Sequence, residues 1–581
     1  MLFRRGRPGY YPERPLGRGG SSHQAGGEPR NGSLQSGRAG QYPEQPRRHP
    51  DGKYAQNCGN LIMHPLLEKN LTGTLFPLFS MRSKKDWGIG DTRAMTLWFD
   101  VMKAMNLDLL QVLPINEMPP GVSCPYTALS AFALDPIYIA VDELPELKDN
   151  LELVEEINSR RFQAGLRQLR RARTVMYNEV RHLKFTTLWK SYAHFHQSHV
   201  LKDSALAGEF RAFCQANSGW LEDYAVFRRL KDTHNWTSWT HWEGPLRDRN
   251  ADAIKELRER EENQILFFKY MQWCIHRQWA QAREHAARLG IKLLGDLPFM
   301  VNQESSDVWA RQAEFDINRE IGAPPDAFSD TGQRWGLPAY NWSVVEGNNF
   351  DWWRSKVKKA SEFYDMFRID HMVGFFRTWV IPRDIALKPD FDIKDEKGQR
   401  ERGKRFLEAV ASASRMLPVA EDLGLIPPYV TEVLTELKVP GYKVMRWEKG
   451  RDGGYLSPAN YPPVSLATSS THDNEPLADW WDTVDTAEKK LFWKLVSGDE
   501  SRPPVYSKAR ERILASLLGA GSRIIILPIQ DIFGSKDRVN TPGTLGDHNW
   551  TYRFPTTAED FIKKHADLAA SFAALVKEKR G

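Results

Sequence analysis

The sequence predicts a closed (β/α)₈ barrel of the α/β class, on three observations. Eight short apolar segments recur along the chain, and most are followed by an amphipathic helical stretch. Strands alternating with helices make a parallel sheet, and eight of them close it into a barrel. Acidic residues also stand at the C-terminal ends of several segments, the face on which such barrels carry their sites. A chain of 581 residues has room for this barrel together with insertions.

In chain order the segments are GTLFPLFS (73–80), DLLQVLPIN (108–116), KLLGDLPFM (292–300) and FYDMFRIDH (363–371). LPVAEDLG (417–424), GYKVMRW (441–447), SLATSSTHD (465–473) and RIIILPIQD (523–531) complete the set. A helical pattern around residues 92–105 separates the first two. Between the second and third lies an insertion, residues 140–270, of helical period: Leu166, Leu169, Ala172, Met176, Val180 and Leu183 recur at spacings of three and four. The expected organisation is a first part of the barrel over 63–139, a helical insertion over 140–270, and the remainder of the barrel over 271–581, with a long loop at 322–342.

Residues 1–62 are rich in Gly, Arg, Pro, Gln and Ser and nearly free of aliphatic side chains. Such a segment cannot bury enough surface to offset its chain entropy, so it reads as a disordered tail, with Met63 standing where the globular sequence begins. An organelle-targeting leader is the alternative reading, and its acidic residues count against that. The tail holds ten Lys/Arg against Glu13, Glu28, Glu44 and Asp51, which is the whole formal excess of +6. The rest of the chain is neutral, which removes the electrostatic case for nucleic acid or a membrane surface and favours an uncharged substrate. Arg160, Arg161, Arg167, Arg170, Arg171 and Arg173 read as a solvated helix face.

No apolar stretch approaches the ~20 residues a membrane-crossing helix needs. Cys58, Cys124, Cys214 and Cys274 show neither close pairing nor metal-ligand spacing, so a reducing compartment with no structural disulfide or zinc is expected. A bacterial-type cytoplasmic setting follows, or a plastid if the tail is a leader. Nothing in the sequence calls for a cofactor or a metal. The 20 tryptophans mostly serve packing, yet their excess suits a protein that lays flat aromatic faces on sugar rings.

Asp296 ends the third segment, Asp370 the fourth, Glu421 the fifth and Asp473 the seventh. A lone Asp at such a place is as readily a helix cap; four in corresponding positions make a site. A retaining glycosidase needs a nucleophilic carboxylate and a second carboxyl, acid and then base, about 5–5.5 Å away. Adjacent strand ends offer that spacing, so Asp370 and Glu421 form a candidate pair. Arg368, two residues before Asp370, lies on the same side of the strand and can hydrogen-bond its carboxylate. Glu421 has no basic residue close in sequence, which suits a group that starts protonated.

These segments resemble glycoside hydrolase family 77, the amylomaltases and plant disproportionating enzymes. FRIDH (367–371) is similar to the family's nucleophile strand and VAEDLG (419–424) to its acid/base strand, which implies those roles for Asp370 and Glu421. STHDNE (470–475) resembles the segment of the third carboxylate, implying that Asp473 grips hydroxyls of the distorted sugar. GDLPF (295–299) implies a supporting role for Asp296. Such short motifs are shared with the wider α-amylase clan. The discriminating stretch is GAPPDAFSDTGQRWGLPAYNW (322–342), which resembles the family's acceptor-side loop through Gln333, Trp335, Gly336, Pro338, Tyr340 and Trp342.

Further likeness runs from GIGD (88–91) through SCPYTALSAFALDP (123–136) to RVNTPGTLGDHNW (538–550), so it covers about residues 72–555. Tyr126 is implied as a substrate-contacting aromatic, while Asn540, Pro542, Gly543, Asn549 and Trp550 read as mainly structural. GDLPFMV lacks the histidine that amylases of the clan carry after their aspartate, and Cys124 stands where an ordinary polar residue is expected; as a lone cysteine it reads as inert.

His371 and His472 adjoin catalytic candidates and read as donors to sugar hydroxyls, or else as satisfied structural histidines.

The resemblance implies a 4-α-glucanotransferase that moves α-1,4-glucan segments, taken from maltooligosaccharides, to the 4-hydroxyl of another glucan or of glucose. It would work through a covalent glycosyl-enzyme. A hydrolytic amylase of the same clan is the second reading, and a glucan-binding protein without catalysis the third. The intact set Asp296, Arg368, Asp370, Glu421 and Asp473 argues against the last.

Overall fold

The computed structural model describes residues 63–325, 332–544, 546 and 548–581. The basic tail 1–62, read as disordered, lies outside the described residues, as do residues 326–331 of the stretch 322–342. The described strands, in chain order, are β1 (Leu71–Leu75), β2 (Leu109–Gln111), β3 (Lys292–Leu297), β4 (Phe315–Ala323), β5 (Gln333–Tyr340) and β6 (Met366–Ile369). They continue with β7 (Trp379–Pro382), β8 (Asp390–Phe391), β9 (Leu417–Ala420), β10 (Gly441–Val444), β11 (Ser465–Thr468) and β12 (Ile524–Pro528).

Eight of them close a barrel in the order β1-β12-β11-β10-β9-β6-β3-β2, and every pair is parallel. They overlap the eight segments read from the sequence, each shorter than its apolar run, and β1 begins two residues before the segment 73–80. Their residues are almost all buried, because helices cover the outside and side chains fill the interior. Within β3, Gly295 is required by close approach: a Cβ there would meet the Tyr364 ring at 2.2 Å.

Helices occupy most of the span between β2 and β3, among them Leu151–Asn158, Arg160–Arg171, Tyr177–Phe195, Ala205–Ala216 and Ser218–Thr233. The last of the series, Glu262–Leu289, runs unbroken through residue 270 and ends at Gly290, whose φ of 76° closes the helix in the left-handed conformation. Buried ion pairs tie these helices to the segment after β2. Arg181 donates to both oxygens of Asp135 at 3.1 and 2.7 Å, and Arg228 donates to Glu117 at 3.0 Å. Losing one partner of such a pair strands a buried charge, so these contacts fix where that segment sits. Among the described residues no helix is long and apolar enough to cross a membrane.

A second, four-stranded sheet of order β5-β4-β7-β8 is antiparallel throughout, with an irregular register between β4 and β5. The sequence reading of 322–342 as a loop is corrected here: Gln333–Tyr340 is a strand paired to β4. Hydrogen bonding to a partner strand holds it extended despite its Gly and Pro.

Candidate active site

Asp296 lies on β3, Arg368 on β6, Asp370 directly after β6 and Glu421 directly after β9. β3, β6 and β9 are consecutive in the barrel, and Asp296 pairs in register with Arg368, which pairs in turn with Val419. The Glu421 backbone N–H donates to Ile369 O at 3.0 Å, so the two candidate reacting carboxyls leave the barrel at one level. Parallel register thereby converts sequence positions into a cluster.

Arg368 stands at its centre. Nη1 lies 2.8 Å from each Asp296 oxygen and 2.9 Å from Asp370 Oδ1, and Nη2 lies 3.9 Å from Glu421 Oε2. Burial alone would lower this guanidinium; Asp296 and Asp370 more than reverse that and hold it charged. The same burial pushes the Asp296 carboxyl up, against the pull of Arg368. Asp370 Oδ2 accepts the Phe299 backbone N–H at 3.2 Å. Glu421 is set differently: burial pushes its carboxyl up to about 8, with the Asp370 charge adding to the rise and Arg368 opposing it. Oε2 of Glu421 accepts the His371 backbone N–H at 2.8 Å.

A second arm brings in Tyr126 from the segment after β2 and the residues after β11. The Tyr126 hydroxyl donates to Asp296 Oδ2 at 2.7 Å and lies 3.0 Å from His472 Nε2. Because the Tyr126 proton goes to Asp296, Nε2 of His472 carries the proton that completes the chain. The Tyr126 and His472 rings stack at 5.5 Å with 15° between planes, and Trp550 packs on both. Asp473 sits on the loop beyond β11, with Oδ2 3.3 Å from His472 Nε2 and Oδ1 accepting Asn540 Nδ2 at 2.7 Å.

The third arm is the β4–β5 hairpin. Trp335 on β5 meets His371 edge to face, and its Nε1 donates to the side-chain oxygen of exposed Gln333 at 3.1 Å. His371 adopts φ 45°, ψ 55°, a left-handed conformation that costs a non-glycine residue about 1 kcal/mol or more. Burial lowers its imidazole to about 4, so it is neutral at neutral pH. Cys124 is half-buried, and burial pushes its thiol up, away from the reactive thiolate form.

All ten residues singled out from the sequence therefore join one connected cluster: Tyr126, Asp296, Gln333, Trp335, Arg368, Asp370, His371, Glu421, His472 and Asp473. Sequence reasoning took Asn540 as mainly structural, and its grip on Asp473 appears only when the two loops meet. It missed Lys356, a buried lysine on the helix Asp351–Ala360, altogether. The signal was there: a lysine falls on the apolar side of a helix that carries Trp352 and Trp353.

This cluster occupies the mouth of a barrel whose likeness to known proteins extends along most of the chain. A family model described as 4-alpha-glucanotransferase matches residues 76–558. The 4-alpha-glucanotransferase of Chlamydia trachomatis serovar D is 32% identical over 517 residues, covering 87% of this chain and 94% of the relative. The chloroplastic/amyloplastic 4-alpha-glucanotransferase DPE1 of Arabidopsis thaliana is 32% identical over 504 residues, covering 84% and 82%. Among solved structures, the amylomaltase from Streptococcus agalactiae in complex with acarbose shares the fold with a TM-score of 0.73 at 24% identity, covering 88% of this chain and 99% of that one. With the match running from the end of the first barrel strand to beyond the last, the chain belongs to the 4-α-glucanotransferase family, the amylomaltases and disproportionating enzymes that act on α-1,4-glucans.

Proposed function

We propose that this site transfers α-1,4-glucan segments by a retaining double displacement, with Asp370 as nucleophile and Glu421 as acid and then base. The observation that carries the assignment is the unequal setting of two carboxyls at neighbouring strand ends. Asp370 receives the Arg368 guanidinium and the Phe299 N–H, donors suited to a carboxylate. Glu421, pushed up to about 8, keeps its proton at neutral pH.

In the first step an Asp370 oxygen attacks the anomeric carbon. The bond to the glycosidic oxygen breaks, and Glu421 gives its proton to the departing 4-oxygen. In the second, Glu421 takes the proton of an incoming 4-hydroxyl, and that oxygen displaces Asp370 from the anomeric carbon. Two inversions retain the configuration. Arg368 and Asp296 hold the nucleophile in place. Asp473, gripped by Asn540, binds sugar hydroxyls beside His472, and the neutral His371 donates to a sugar hydroxyl as charge builds at the anomeric carbon.

Maltooligosaccharides are the donors, and glucose or another glucan is the acceptor. The Streptococcus agalactiae amylomaltase carries acarbose, a ligand compatible with this class of site. Trp335 beside His371 places an aromatic face on the acceptor side, which favours a sugar over water. A cytoplasmic or plastid glucan pool is the setting in keeping with the reading, the plant relative being chloroplastic/amyloplastic.

Incubation with maltotriose tests the reading. Glucose together with a ladder of longer maltodextrins is expected. Glucose and maltose alone would assign the site to hydrolysis.

A further inference from the structure

One peptide plane links a buried lysine to the nucleophile. The Pro298–Phe299 peptide donates its N–H to Asp370 Oδ2 at 3.2 Å, and its carbonyl accepts Lys356 Nζ at 2.7 Å. The next carbonyl, Phe299 O, accepts the Tyr340 hydroxyl at 2.6 Å, and the Tyr340 oxygen accepts Trp353 Nε1 at 2.9 Å. Lys356 is 2% exposed, and its Nζ lies 4.0 Å from the Trp353 ring centre and 5.2 Å from that of Trp352.

Burying a lysine among indoles is costly unless its donors are used. Burial pulls this one down to about 7, while Asp307, Asp370 and Asp296 favour keeping the proton. A hydrogen bond accepted by the carbonyl of a peptide strengthens the N–H of that same peptide as a donor. Lys356 therefore both fixes the plane and sharpens the contact that Asp370 receives from it.

We propose that Lys356 is a positioning residue for Asp370, acting through the Pro298–Phe299 peptide, with Tyr340 bracing the carbonyl that follows. The inference rests on Asp370 being the nucleophile. Tyr340 also terminates β5, the strand that carries Gln333 and Trp335. The brace thus couples the acceptor-side hairpin to the reacting carboxylate without touching substrate.

The test is the rate of glycosylation from an activated glucosyl fluoride, set beside the affinity for maltopentaose read by tryptophan fluorescence. Lys356→Met should slow glycosylation about tenfold to a hundredfold, the range set by a misplacement near 1 Å, with affinity unchanged within twofold. Lys356→Arg, which keeps a cationic donor, should restore most of the rate. Tyr340→Phe should slow the step a few-fold, and its effect should fail to add to that of Lys356→Met, since both hold one segment.

A wild-type rate in Lys356→Met overturns the proposal, as does an arginine variant that binds normally yet is as slow as the methionine one. If Lys356→Met does not fold, Tyr340→Phe decides alone: a wild-type rate overturns. Asp370→Asn is run in parallel. Should it glycosylate normally, the nucleophile assignment fails; should it be inactive while Lys356→Met is normal, only the relay fails.

Discussion

The indole of Trp335 meets the imidazole of His371 edge to face, with ring centres 4.8 Å apart and planes at 88°. His371 follows Asp370 directly, so an aromatic side chain delivered by the β4–β5 hairpin stands one residue from the proposed nucleophile. Trp335 is half-buried, which leaves part of its surface for an acceptor sugar. Stacking of this kind is worth roughly 1 kcal/mol. Trp335→Ala should weaken acceptor use more than donor cleavage, so the glycosyl-enzyme waits longer and water takes a larger share. On maltotriose the ratio of hydrolysis to transfer should rise several-fold, since about 1.4 kcal/mol corresponds to tenfold in partitioning. If both rates fall together at a constant ratio, Trp335 only holds the hairpin.

The two carboxyls should fail in different ways. Asp370→Asn removes the proposed nucleophile at nearly constant volume, so turnover should vanish while the folded protein keeps its circular dichroism. Glu421→Gln should stop turnover of maltotriose yet still glycosylate slowly from a glucosyl fluoride, whose leaving group needs no proton. Equal rejection of both substrates by Glu421→Gln would move the acid role elsewhere.

The elevated Glu421 carboxyl also sets a pH dependence with a definite sign. With Glu421 as the proposed general acid, which must be protonated in the free enzyme, kcat/KM should fall as pH rises through about 8. Stability moves the same way. A carboxyl whose folded value is raised contributes fully below its unfolded value, near the ordinary glutamate value of 4.5, and that contribution is lost as pH climbs to about 8. Glu421→Gln carries no such group. Its Tm advantage over the wild type should grow between pH 5 and 8 and then level off. A difference that stays flat across this window would place the proton elsewhere.

Asn540→Ala tests the support of the third carboxylate. Without the Asn540 Nδ2 donor, Asp473 loses the contact at 2.7 Å that holds its Oδ1. A hydrogen bond to a charged group is worth roughly 1.5–3 kcal/mol, so kcat/KM on maltotriose should drop at least about tenfold with little change in Tm. Loss of activity that tracks loss of Tm would make Asn540 a structural residue alone.

The barrel was legible because its strands are buried on both faces and therefore read as mainly apolar runs followed by acids, as in IIILP of β12 or, interrupted only by Arg368, MFRI before Asp370. The small sheet was not. β4 mixes buried, half-buried and exposed residues, and β5 contains Gly336 and Pro338, so neither shows the clean alternation of a half-buried strand. In the site, acids next to strand ends could be found from position alone. The Asn540–Asp473 contact joins residues 67 apart, and Lys356 reaches a carbonyl 58 residues away. Such partners depend on how loops meet, which local pattern does not encode. The left-handed turn at His371 was equally silent, since the enrichment of histidine at positive φ is too weak to mark one residue.

The ring of strands closes where β1 meets β12, pairing Leu71 with Ile524 through Leu75 with Pro528, and Arg580 clasps this joint by donating to Arg523 O at 2.8 Å and Ser522 O at 3.1 Å. No other barrel pairing spans so much chain, and the entropy of bringing ends together grows with the length between them. The joint is therefore the part of the barrel most dependent on everything else having formed. Counting around the ring, the strands that bear Asp370 and Glu421, β6 and β9, stand diametrically across from it. The two carboxyls proposed to react therefore leave the ring at the point farthest from its closure.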